Sequence, residues 1–207
     1  MTRLVGEWRM FSHIFPVRCV YMMKHHSIIL DMREQGVMFI RHVVVDTVLG
    51  KVTIVASDHA VLGVYFPHHW YLPPEGTFGA EVSVRDFPLL CMASSQLDEY
   101  LAGLRTSFDV PITTHGDPFQ ERVWALLRAI PRGERTTYGA LAEQLGDKSL
   151  AQSVGRAVGR NPLCVIVPCH RVVGAGGRLT GYAGGLQRKQ FLLDLEEPTE
   201  VKAGKLF

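Results

Sequence analysis

The stretch VIVPCHRVVG, residues 165–174, places a cysteine, a histidine and an arginine directly after an apolar run that is predicted to be a buried strand. Cysteine reacts as a nucleophile only in its thiolate form, which needs a nearby cation, a base or helix dipoles. Cys169 is therefore either a small buried hydrophobe or a nucleophile held at a strand end. His170 follows it, but neighbours in an extended strand point to opposite faces. Contact between the two side chains thus requires a turn or a bridging water.

A carboxylate near His170 would orient its imidazole and keep it basic. The last predicted helix of the chain offers Asp194, Glu196 and Glu197 for this role, and spacing alone does not choose among them. Taken by themselves, Cys169 and His170 are compatible with nucleophilic catalysis and with ordinary packing.

A glycine-rich segment, GAGGRLTGYAGG, follows the cysteine over residues 174–185. It contains neither GxGxxG nor GxxxxGK(S/T), so it does not predict a nucleotide site. Glycines at this density let the backbone approach a partner closely or pass a tight corner. Tyr182 within it is an aromatic residue that could form the wall of a pocket.

The composition is that of a globular protein: 207 residues, 47% hydrophobic and 20% charged, enough for one large domain or two small ones. The four cysteines have no zinc or disulfide spacing, which fits a reducing compartment. No apolar run approaches the roughly 18 residues of a membrane span, and the first residues lack a secretory signal. We expect a cytoplasmic protein.

The net charge of +2 conceals an uneven distribution. Residues 118–207 contain 13 of the 22 lysines and arginines but only 8 of the 20 acidic residues. A basic block of this kind is typical of proteins with an anionic partner, most often nucleic acid. A solubilising surface is the alternative that charge alone leaves open.

The elements before residue 117 predict a small α/β unit. Residues 38–66 alternate β-branched side chains and break twice, which predicts a hairpin or a three-stranded meander. Apolar residues at helical spacing follow over residues 87–103. Residues 106–114 are predicted to form another strand.

The second half is predicted to be helical. Asp117 is suited to cap a helix that ends at Pro131. Two shorter helices are predicted over residues 137–145 and 149–160. They are joined by a turn at Gly146, the spacing of a helix-turn-helix.

Two quoted stretches carry a family resemblance. IVPCHRVVG and GGRLTGYAGGLQRKQFLLDLE resemble the O6-alkylguanine-DNA alkyltransferases (methylated-DNA–protein-cysteine methyltransferases). The resemblance extends upstream through FQERVWALLRAIPRGERTTYGALAEQLG. It covers about residues 38–196 and is strong from Phe119 onward.

The resemblance implies an α/β fold in two parts. Residues 38–116 would form a small ribonuclease-H-like α/β sheet domain. Residues 117–198 would form the DNA-binding and alkyl-acceptor domain, helical, with a winged-helix-like helix-turn-helix that enters the minor groove. The implied activity is direct-reversal DNA repair, in which an alkyl group passes irreversibly from O6-alkylguanine, or O4-alkylthymine, in double-stranded DNA to a cysteine. The implied protein is a monomer, and it needs no cofactor.

The resemblance also assigns roles to residues. Cys169 would accept the alkyl group, His170 would act through a water as its base, and Glu196 would orient His170. Asn161 would shape the turn between the recognition helix and the acceptor segment. Tyr138 would donate a hydrogen bond to the extruded base, because a base inside the duplex is out of reach.

The remaining contacts implied by the resemblance involve the guanine pocket and the DNA. The pocket would be lined by Tyr182 and the backbone of Val172. The further DNA-contacting residues are Gln152, Ser153, Gly155, Arg156 and Arg160, with Arg171 and Arg178 as additional phosphate contacts.

Gln152 departs from the family pattern, which usually has an arginine here to fill the gap left by the extruded base. Glutamine can still form hydrogen bonds within the stack, but it is shorter and uncharged. Arg156, one helical turn later, lies on the same helix face and partly substitutes. We expect weaker DNA binding or slower base extrusion than in a relative with arginine.

The ends of the chain have no counterpart in the resemblance. Residues 1–37 are expected to be disordered or to reflect an over-long gene reading, with Met38 as the natural start, and residues 199–207 are expected to be a frayed tail. Some relatives carry a zinc site near the N-terminus. We expect no metal, because the corresponding side chains lack a suitable spacing: Cys19, His25, His26 and His42.

Three other functions stay open at this point. A non-enzymatic lesion-binding protein of the alkyltransferase-like type would lack the cysteine at position 169, which this chain has. A Cys-His-Glu hydrolase would turn over repeatedly and gives no reason for a helix-turn-helix. A DNA-binding module with an incidental cysteine would bind DNA without transferring anything.

Overall fold

The structure is a computed structural model that describes residues 39–74 and 76–197. The expectations for residues 1–37 and 199–207 concern parts of the chain outside these ranges. The α-helices and strands of the described residues are, in chain order, β1 (Arg41–Thr47), β2 (Gly50–Ala56), β3 (Val61–Tyr65), β4 (Ala80–Glu81), α1 (Pro88–Leu101), α2 (Pro118–Arg128), β5 (Thr136–Thr137), α3 (Tyr138–Gln144), α4 (Ala151–Gly159), β6 (Val172–Val173) and α5 (Leu186–Glu196).

The predicted meander is confirmed as β1, β2 and β3, which pair antiparallel. The sheet order is β3-β2-β1-β4, and β4 pairs parallel to β1. Alternate residues of β2, including Val52 and Ile54, are fully buried, so one face of the sheet builds the core. The sequence did not predict β4, because two residues are too few to produce an alternating pattern.

Helix α1 covers this buried face of the sheet. Its inward residues, Leu90, Ala93, Leu97 and Tyr100, recur at helical spacing, as predicted. The tyrosine lies near the end of the helix and faces the second half of the chain. Its hydroxyl donates a hydrogen bond to Glu196 of α5.

The predicted strand at residues 106–114 is wrong. Only one bridge forms there, between Val61 and Ile112, with hydrogen bonds from Val61 N to Pro111 O (2.8 Å) and from Thr113 N to Val61 O (3.0 Å). Pro111 has no N–H to donate, which limits a longer ladder. The segment is an extended connection along the sheet edge.

The start of α2 follows its sequence signals. Asp117 accepts hydrogen bonds from the backbone N–H groups of Phe119 and Gln120, and the Gln120 side chain returns one to the Asp117 backbone. This capping box satisfies N–H groups that the first turn leaves unpaired. Trp124 on the buried side of α2 donates from Nε1 to the carbonyl of Ala157 at 2.9 Å and ties α2 to α4.

The two short helices are confirmed as α3 and α4. Thr137 caps α3 through a hydrogen bond from the Ala140 N–H (3.1 Å). After the turn at Gly146, which has a φ of 98°, Asp147 caps a short 3-10 turn that leads into α4. The predicted pair of helices around a glycine therefore exists, and α4 packs against both α2 and α3.

The apolar run before Cys169 is buried but is not the predicted strand. Leu163, Cys164 and Val167 are fully buried, yet the chain turns tightly at Val165, where φ is 72°. Hydrogen bonds close this turn from Val167 N to Leu163 O (2.8 Å) and from Ile166 N to Cys164 O (2.9 Å). The run was misassigned because apolar letters indicate burial and do not separate a buried turn from a buried strand.

The same segment docks on the sheet. Val64 N donates to Pro162 O (2.8 Å) and Cys164 N donates to Val64 O (3.2 Å), which places the residues before Cys169 at the edge strand β3. A single apolar cluster includes residues from both halves of the chain. The predicted boundary at residue 117 stays a prediction. Within residues 39–74 and 76–197, no helix is long and apolar enough to cross a membrane.

Candidate active site

Cys169 lies in a cavity of about 520 Å³, where only 3% of its surface is exposed. It is the first residue of a 3-10 turn, Cys169–Arg171, that follows Pro168. The cavity lies between α4, the start of α3 and the glycine-rich loop, with one wall from the N-terminal half. Its lining residues are Trp70, Tyr71, Tyr138, Ala151, Gln152, Gly155, Arg156, Val158, Gly159, Cys169, Thr180, Gly181, Tyr182 and Ala183.

Asn161 fixes the turn that carries Cys169. The amide of Asn161 is buried, and it donates from Nδ2 to Val167 O (2.8 Å) and Leu163 O (3.4 Å), while its Oδ1 accepts from Leu163 N (3.0 Å). One side chain therefore bonds to both ends of the turn between α4 and Cys169. The structure places Asn161 where the resemblance implied a turn-shaping residue.

The surroundings favour the thiolate of Cys169. A hydrogen bond from the Cys164 thiol, a further one from Asn161 and the charge of Lys189 lower the pKa of the Cys169 thiol, against the opposing effect of its burial. Cys164 has its own pKa raised well above the ordinary value by that hydrogen bond and by burial, so it keeps its proton and acts as the donor. The site contains a thiol that ionises more readily than an ordinary cysteine.

His170 points away from the cavity, into the protein interior. Its Nε2 lies 2.6 Å from Oε1 of Glu196, and the two side chains are essentially inaccessible to solvent. Burial lowers the pKa of His170, and the bond to Glu196 only partly opposes this shift, so the imidazole is neutral near pH 7. The contact selects Glu196 from the three acidic candidates of the last helix.

Glu196 holds several groups together. Burial alone would raise its pKa, but hydrogen bonds from His170 and Arg171 hold it well below the usual range, so the side chain is a carboxylate. Arg171 donates from Nε to Oε2 of Glu196 at 2.8 Å, and the Tyr100 hydroxyl donates to Oε1. The expectation that Arg171 contacts phosphates is wrong, because its guanidinium is committed to Glu196 and to the Ile130 carbonyl and is only 7% exposed.

Two tyrosines flank the sulfur. Tyr138 is the first residue of α3 and is half buried, and Tyr182 comes from the glycine-rich loop and is buried. Burial raises the pKa of both hydroxyls, so each is neutral and able to donate a proton in a hydrogen bond. Gly155 of α4 faces the Tyr138 ring, and a side-chain carbon at this position would lie 3.7 Å from it, an ordinary contact distance.

Helix α4 forms the outer rim. Gln152 and Arg156 are exposed and line the cavity mouth, and Arg156 donates from Nη2 to Oγ of Ser153 at 3.3 Å. Arg160, at the end of α4, is exposed and places its guanidinium 4.8 Å from the ring centre of Tyr71. Of the predicted DNA-contacting residues, Gln152, Gly155 and Arg156 line the cavity, whereas Ser153 and Arg160 do not.

Val172 is the predicted pocket residue that the structure places elsewhere. It is buried, it does not line the cavity, and its carbonyl accepts a hydrogen bond from Nζ of Lys189 at 2.6 Å. The same ammonium donates to Thr180 O (2.6 Å) and Gly181 O (3.2 Å). Lys189 therefore clamps the glycine-rich loop to α5.

Sequence reasoning missed Lys189 and Tyr100. The sequence did contain a signal for Lys189. Lys189, Leu192 and Glu196 fall on the buried face of α5, and a lysine on a buried helix face indicates a specific partner. No such signal exists for Tyr100, because its partner Glu196 lies 96 residues away in sequence. Among the described residues, no group of three or more histidine, cysteine or acidic side chains is placed to hold a metal, and His42 belongs to no such group.

Cys169 lies beside α3 and α4, a pair of short helices with the spacing of a helix-turn-helix. The site therefore defines a class of proteins that combine a reactive thiol with a DNA-binding motif. Comparison with known proteins supports this class. The family model described as the DNA-binding domain of 6-O-methylguanine DNA methyltransferase matches residues 118–198. A methylated-DNA–protein-cysteine methyltransferase of Mycolicibacterium paratuberculosis is 43% identical over 152 residues, covering 73% of this chain and 89% of that protein. The methylated-DNA–protein-cysteine methyltransferase of Mycobacterium tuberculosis H37Rv is 42% identical over 153 residues, covering 73% of this chain and 85% of that protein.

The solved structures agree with the sequence relatives. The crystal structure of Mycobacterium tuberculosis OGT in complex with DNA superposes with a TM-score of 0.70 at 39% identity, covering 75% of this chain and 92% of that chain. The chain belongs to the methylated-DNA–protein-cysteine methyltransferase family.

Proposed function

We propose that this protein repairs alkylated DNA directly, by moving the alkyl group of O6-alkylguanine, and of O4-alkylthymine, onto its own Cys169. The observation that carries the proposal is the position of Cys169, a thiol with a lowered pKa inside an open cavity beside α4. In the reaction, the thiolate forms a bond to the alkyl carbon as the bond from that carbon to O6 breaks. Guanine leaves with the bonding electrons and takes up a proton.

The proton of the thiol passes to His170. Nε2 of this imidazole is held by Glu196, and Nδ1 is buried without a protein partner among the described residues, so Nδ1 is the nitrogen available as a base. We assign the link between Nδ1 and the sulfur to a water, as the resemblance implies. The carboxylate keeps the imidazole in the tautomer that has its proton on Nε2.

The leaving guanine receives a hydrogen bond from Tyr138, whose neutral hydroxyl belongs to the cavity wall. A donor positioned at the leaving group lowers the barrier to its departure. Tyr182 lines the pocket for the purine. Val172 is assigned to supporting this pocket through Lys189, because its carbonyl already accepts a hydrogen bond from that residue.

DNA binding is assigned to the helix-turn-helix of α3 and α4, entering the minor groove, with the target nucleotide extruded into the cavity. Gln152 and Arg156 on α4 and Arg160 directly after it support this assignment, since all three are exposed. Ser153 and Gly155 lie on the same helix. Arg178, exposed in the glycine-rich loop, is the further cation that we assign to phosphate contact.

The proposal includes the domain organisation implied by the resemblance: a ribonuclease-H-like part over residues 38–116 and an alkyl-acceptor part with a winged-helix-like motif over residues 117–198. The protein acts as a monomer in the cytoplasm, and each molecule repairs one lesion because its thioether product is stable. Cysteines without disulfide spacing support a reducing compartment.

The test is a stoichiometric transfer experiment. The protein is incubated with an excess of duplex oligonucleotide that contains O6-methylguanine, then digested and analysed by mass spectrometry. We expect one added methyl group on the peptide with Cys169, at no more than one equivalent per protein, no transfer by Cys169→Ser, and normal transfer by Cys91→Ser in α1. Tight lesion binding with an unmodified Cys169 would identify a lesion-binding protein instead, and repeated turnover would identify a hydrolase.

A further inference from the structure

One wall of the cavity comes from the N-terminal half of the chain. The loop after β3 carries Trp70 and Tyr71 to the rim of the cavity that contains Cys169. Trp70 is 60% exposed, so its indole is a large aromatic surface that the core does not use. An exposed aromatic ring inside a reactive cavity is available to a bound group.

The loop that carries Trp70 is anchored beneath by His69. His69 is buried, its N–H donates to Phe66 O (3.2 Å), and its Nδ1 accepts from the N–H of Tyr71 (3.3 Å). Its Nε2 lies 3.5 Å from Sγ of Cys164, the neighbour of Cys169. Burial lowers the pKa of His69 to about 4, so the anchor stays neutral near pH 7. The position of the indole is thereby tied to the segment that carries the acceptor thiol.

Trp70 also fits closely against the other two walls. A side-chain carbon at Gly181 of the glycine-rich loop would come within 3.1 Å of the indole, and one at Gly159 of α4 within 3.8 Å. Beside it, the guanidinium of Arg160 stacks on the ring of Tyr71. The indole therefore lies beside the glycine-rich loop and the end of α4, and most of its surface stays exposed.

We propose that Trp70 is a specificity-determining residue, whose indole forms the wall that O6-substituents larger than methyl contact, and that it sets the rate at which this protein transfers arylmethyl groups relative to methyl. The inference rests on the proposed function. The sulfur must reach the carbon bonded to O6, so the rest of a larger substituent extends from that carbon into the cavity. The cavity of about 520 Å³ receives the guanine as well as its substituent, and the aromatic wall gives an aryl ring a stacking surface at the rim. A methyl group gains nothing from this wall, because it ends at the reacting carbon.

The chemistry is the same for both groups. The thiolate sulfur bonds to the methyl or benzylic carbon, the carbon–O6 bond breaks, and guanine leaves with the electron pair and accepts one proton. Stacking on Trp70 therefore changes the rate for the arylmethyl substrate alone. The ratio of the two rates measures the contribution of the wall.

The test compares O6-benzylguanine with O6-methylguanine at the same position of the same duplex, so that effects on DNA binding cancel in the ratio. Single-turnover rates are measured for the wild type, Trp70→Ala and Trp70→Phe, with Leu104→Ala as a control at an exposed apolar residue outside the cavity. We expect Trp70→Ala to lower the benzyl rate by roughly three- to tenfold. The methyl rate should stay within about twofold, and Trp70→Phe should keep most of the benzyl rate.

Equal losses for both substrates would overturn the proposal, since they would assign Trp70 to DNA binding or to folding. An unchanged or faster benzyl rate in Trp70→Ala would overturn it as well. Failure of the wild type to transfer either group to Cys169 would instead overturn the proposed function on which it rests.

Discussion

Nε2 of His170 lies 2.6 Å from Oε1 of Glu196, and the carboxylate also accepts from Arg171 and Tyr100. His170, the residue after Cys169, is thus held by a carboxylate of α5, the helix that follows the glycine-rich loop. Cys169 and His170 are held by separate networks: Asn161 fixes the turn before the thiol, and Glu196 fixes the imidazole.

Replacing Glu196 by glutamine should impair both transfer and folding. The amide cannot accept equally from His170 and Arg171, and the arginine charge is left buried without its carboxylate. We expect a transfer rate lower by roughly 10- to 100-fold and a free energy of unfolding lower by about 3–5 kcal/mol. Single-turnover kinetics and urea denaturation provide the two measurements.

Asp194→Asn is the matched control for this substitution. Asp194 is exposed on the same helix, α5, and accepts a hydrogen bond from Gln190 at its surface, so its loss should cost less than about 1 kcal/mol. Equal effects from the two substitutions would contradict the special position of Glu196.

The pH dependence of transfer should reflect the neutral state of His170. A base acts in its unprotonated form, which dominates above its pKa. Burial lowers the pKa of His170 below the ordinary value of 6.5, so the transfer rate should hold down through pH 6.5 and decline only at lower pH. Single-turnover rates between about pH 5 and 8.5 measure this. A decline centred above pH 6.5 would show that the base is a different group or is not buried.

Lys189 should affect the reactivity of Cys169 as well as the packing of the loop. Lys189→Met retains the apolar volume but leaves three carbonyls without their donor, so we expect a loss of about 2–4 kcal/mol in the free energy of unfolding. Removing the positive charge should also raise the pKa of the Cys169 thiol, because that charge helps to lower it.

The thiol pKa of the lysine variant is measured from the pH dependence of iodoacetamide alkylation at Cys169, followed by mass spectrometry. Lys148→Met, at an exposed lysine, is the control. If the variant is less stable but its thiol pKa is unchanged, the role of Lys189 is restricted to holding the loop.

Gln152→Arg should strengthen binding to lesion-containing DNA. The residue is exposed on α4 at the cavity mouth, where an added guanidinium reaches the duplex. The added charge should steepen the dependence of log K on log salt by up to about 0.9, the value for one neutralised phosphate. Filling the gap left by the extruded base should raise the single-turnover rate at limiting protein. Binding is measured by fluorescence anisotropy at several salt concentrations.

Gln187→Arg is the control, because it adds the same charge on the exposed side of α5. It distinguishes the effect of the arginine's position from the effect of the net charge. Equal gains from the two arginines would mean that only the overall charge matters. No gain from Gln152→Arg would contradict the expectation that the glutamine weakens binding.

Local signals predicted much of the fold. Asp117 and Thr137 cap the helices that the sequence placed after them, and Gly146 lies in the turn between α3 and α4. These features depend on hydrogen bonds and dihedral angles within a few residues, which the sequence specifies directly. The alternation of β-branched side chains likewise predicted the meander of β1 to β3.

Failures occurred where distant segments meet. The run before Cys169 was predicted as a strand, but Asn161 and the edge of β3 hold it as a turn. Arg171 was predicted to contact phosphates, yet it is sequestered by Glu196, 25 residues away. Trp70 and Tyr100 gave no chemical signal at all, because their roles arise from packing between halves of the chain.

The hydroxyl of Tyr100 has a consequence for how such proteins can be recombined. The first half of the chain supplies this hydroxyl to a carboxylate of the second half, so an exchange of halves between relatives would separate the two groups. We expect a chimera without this tyrosine to keep Cys169 and His170 but to lose one of the contacts that hold Glu196. Grafting the acceptor region into another scaffold would therefore require transplanting Tyr100 as well, a residue that does not line the cavity.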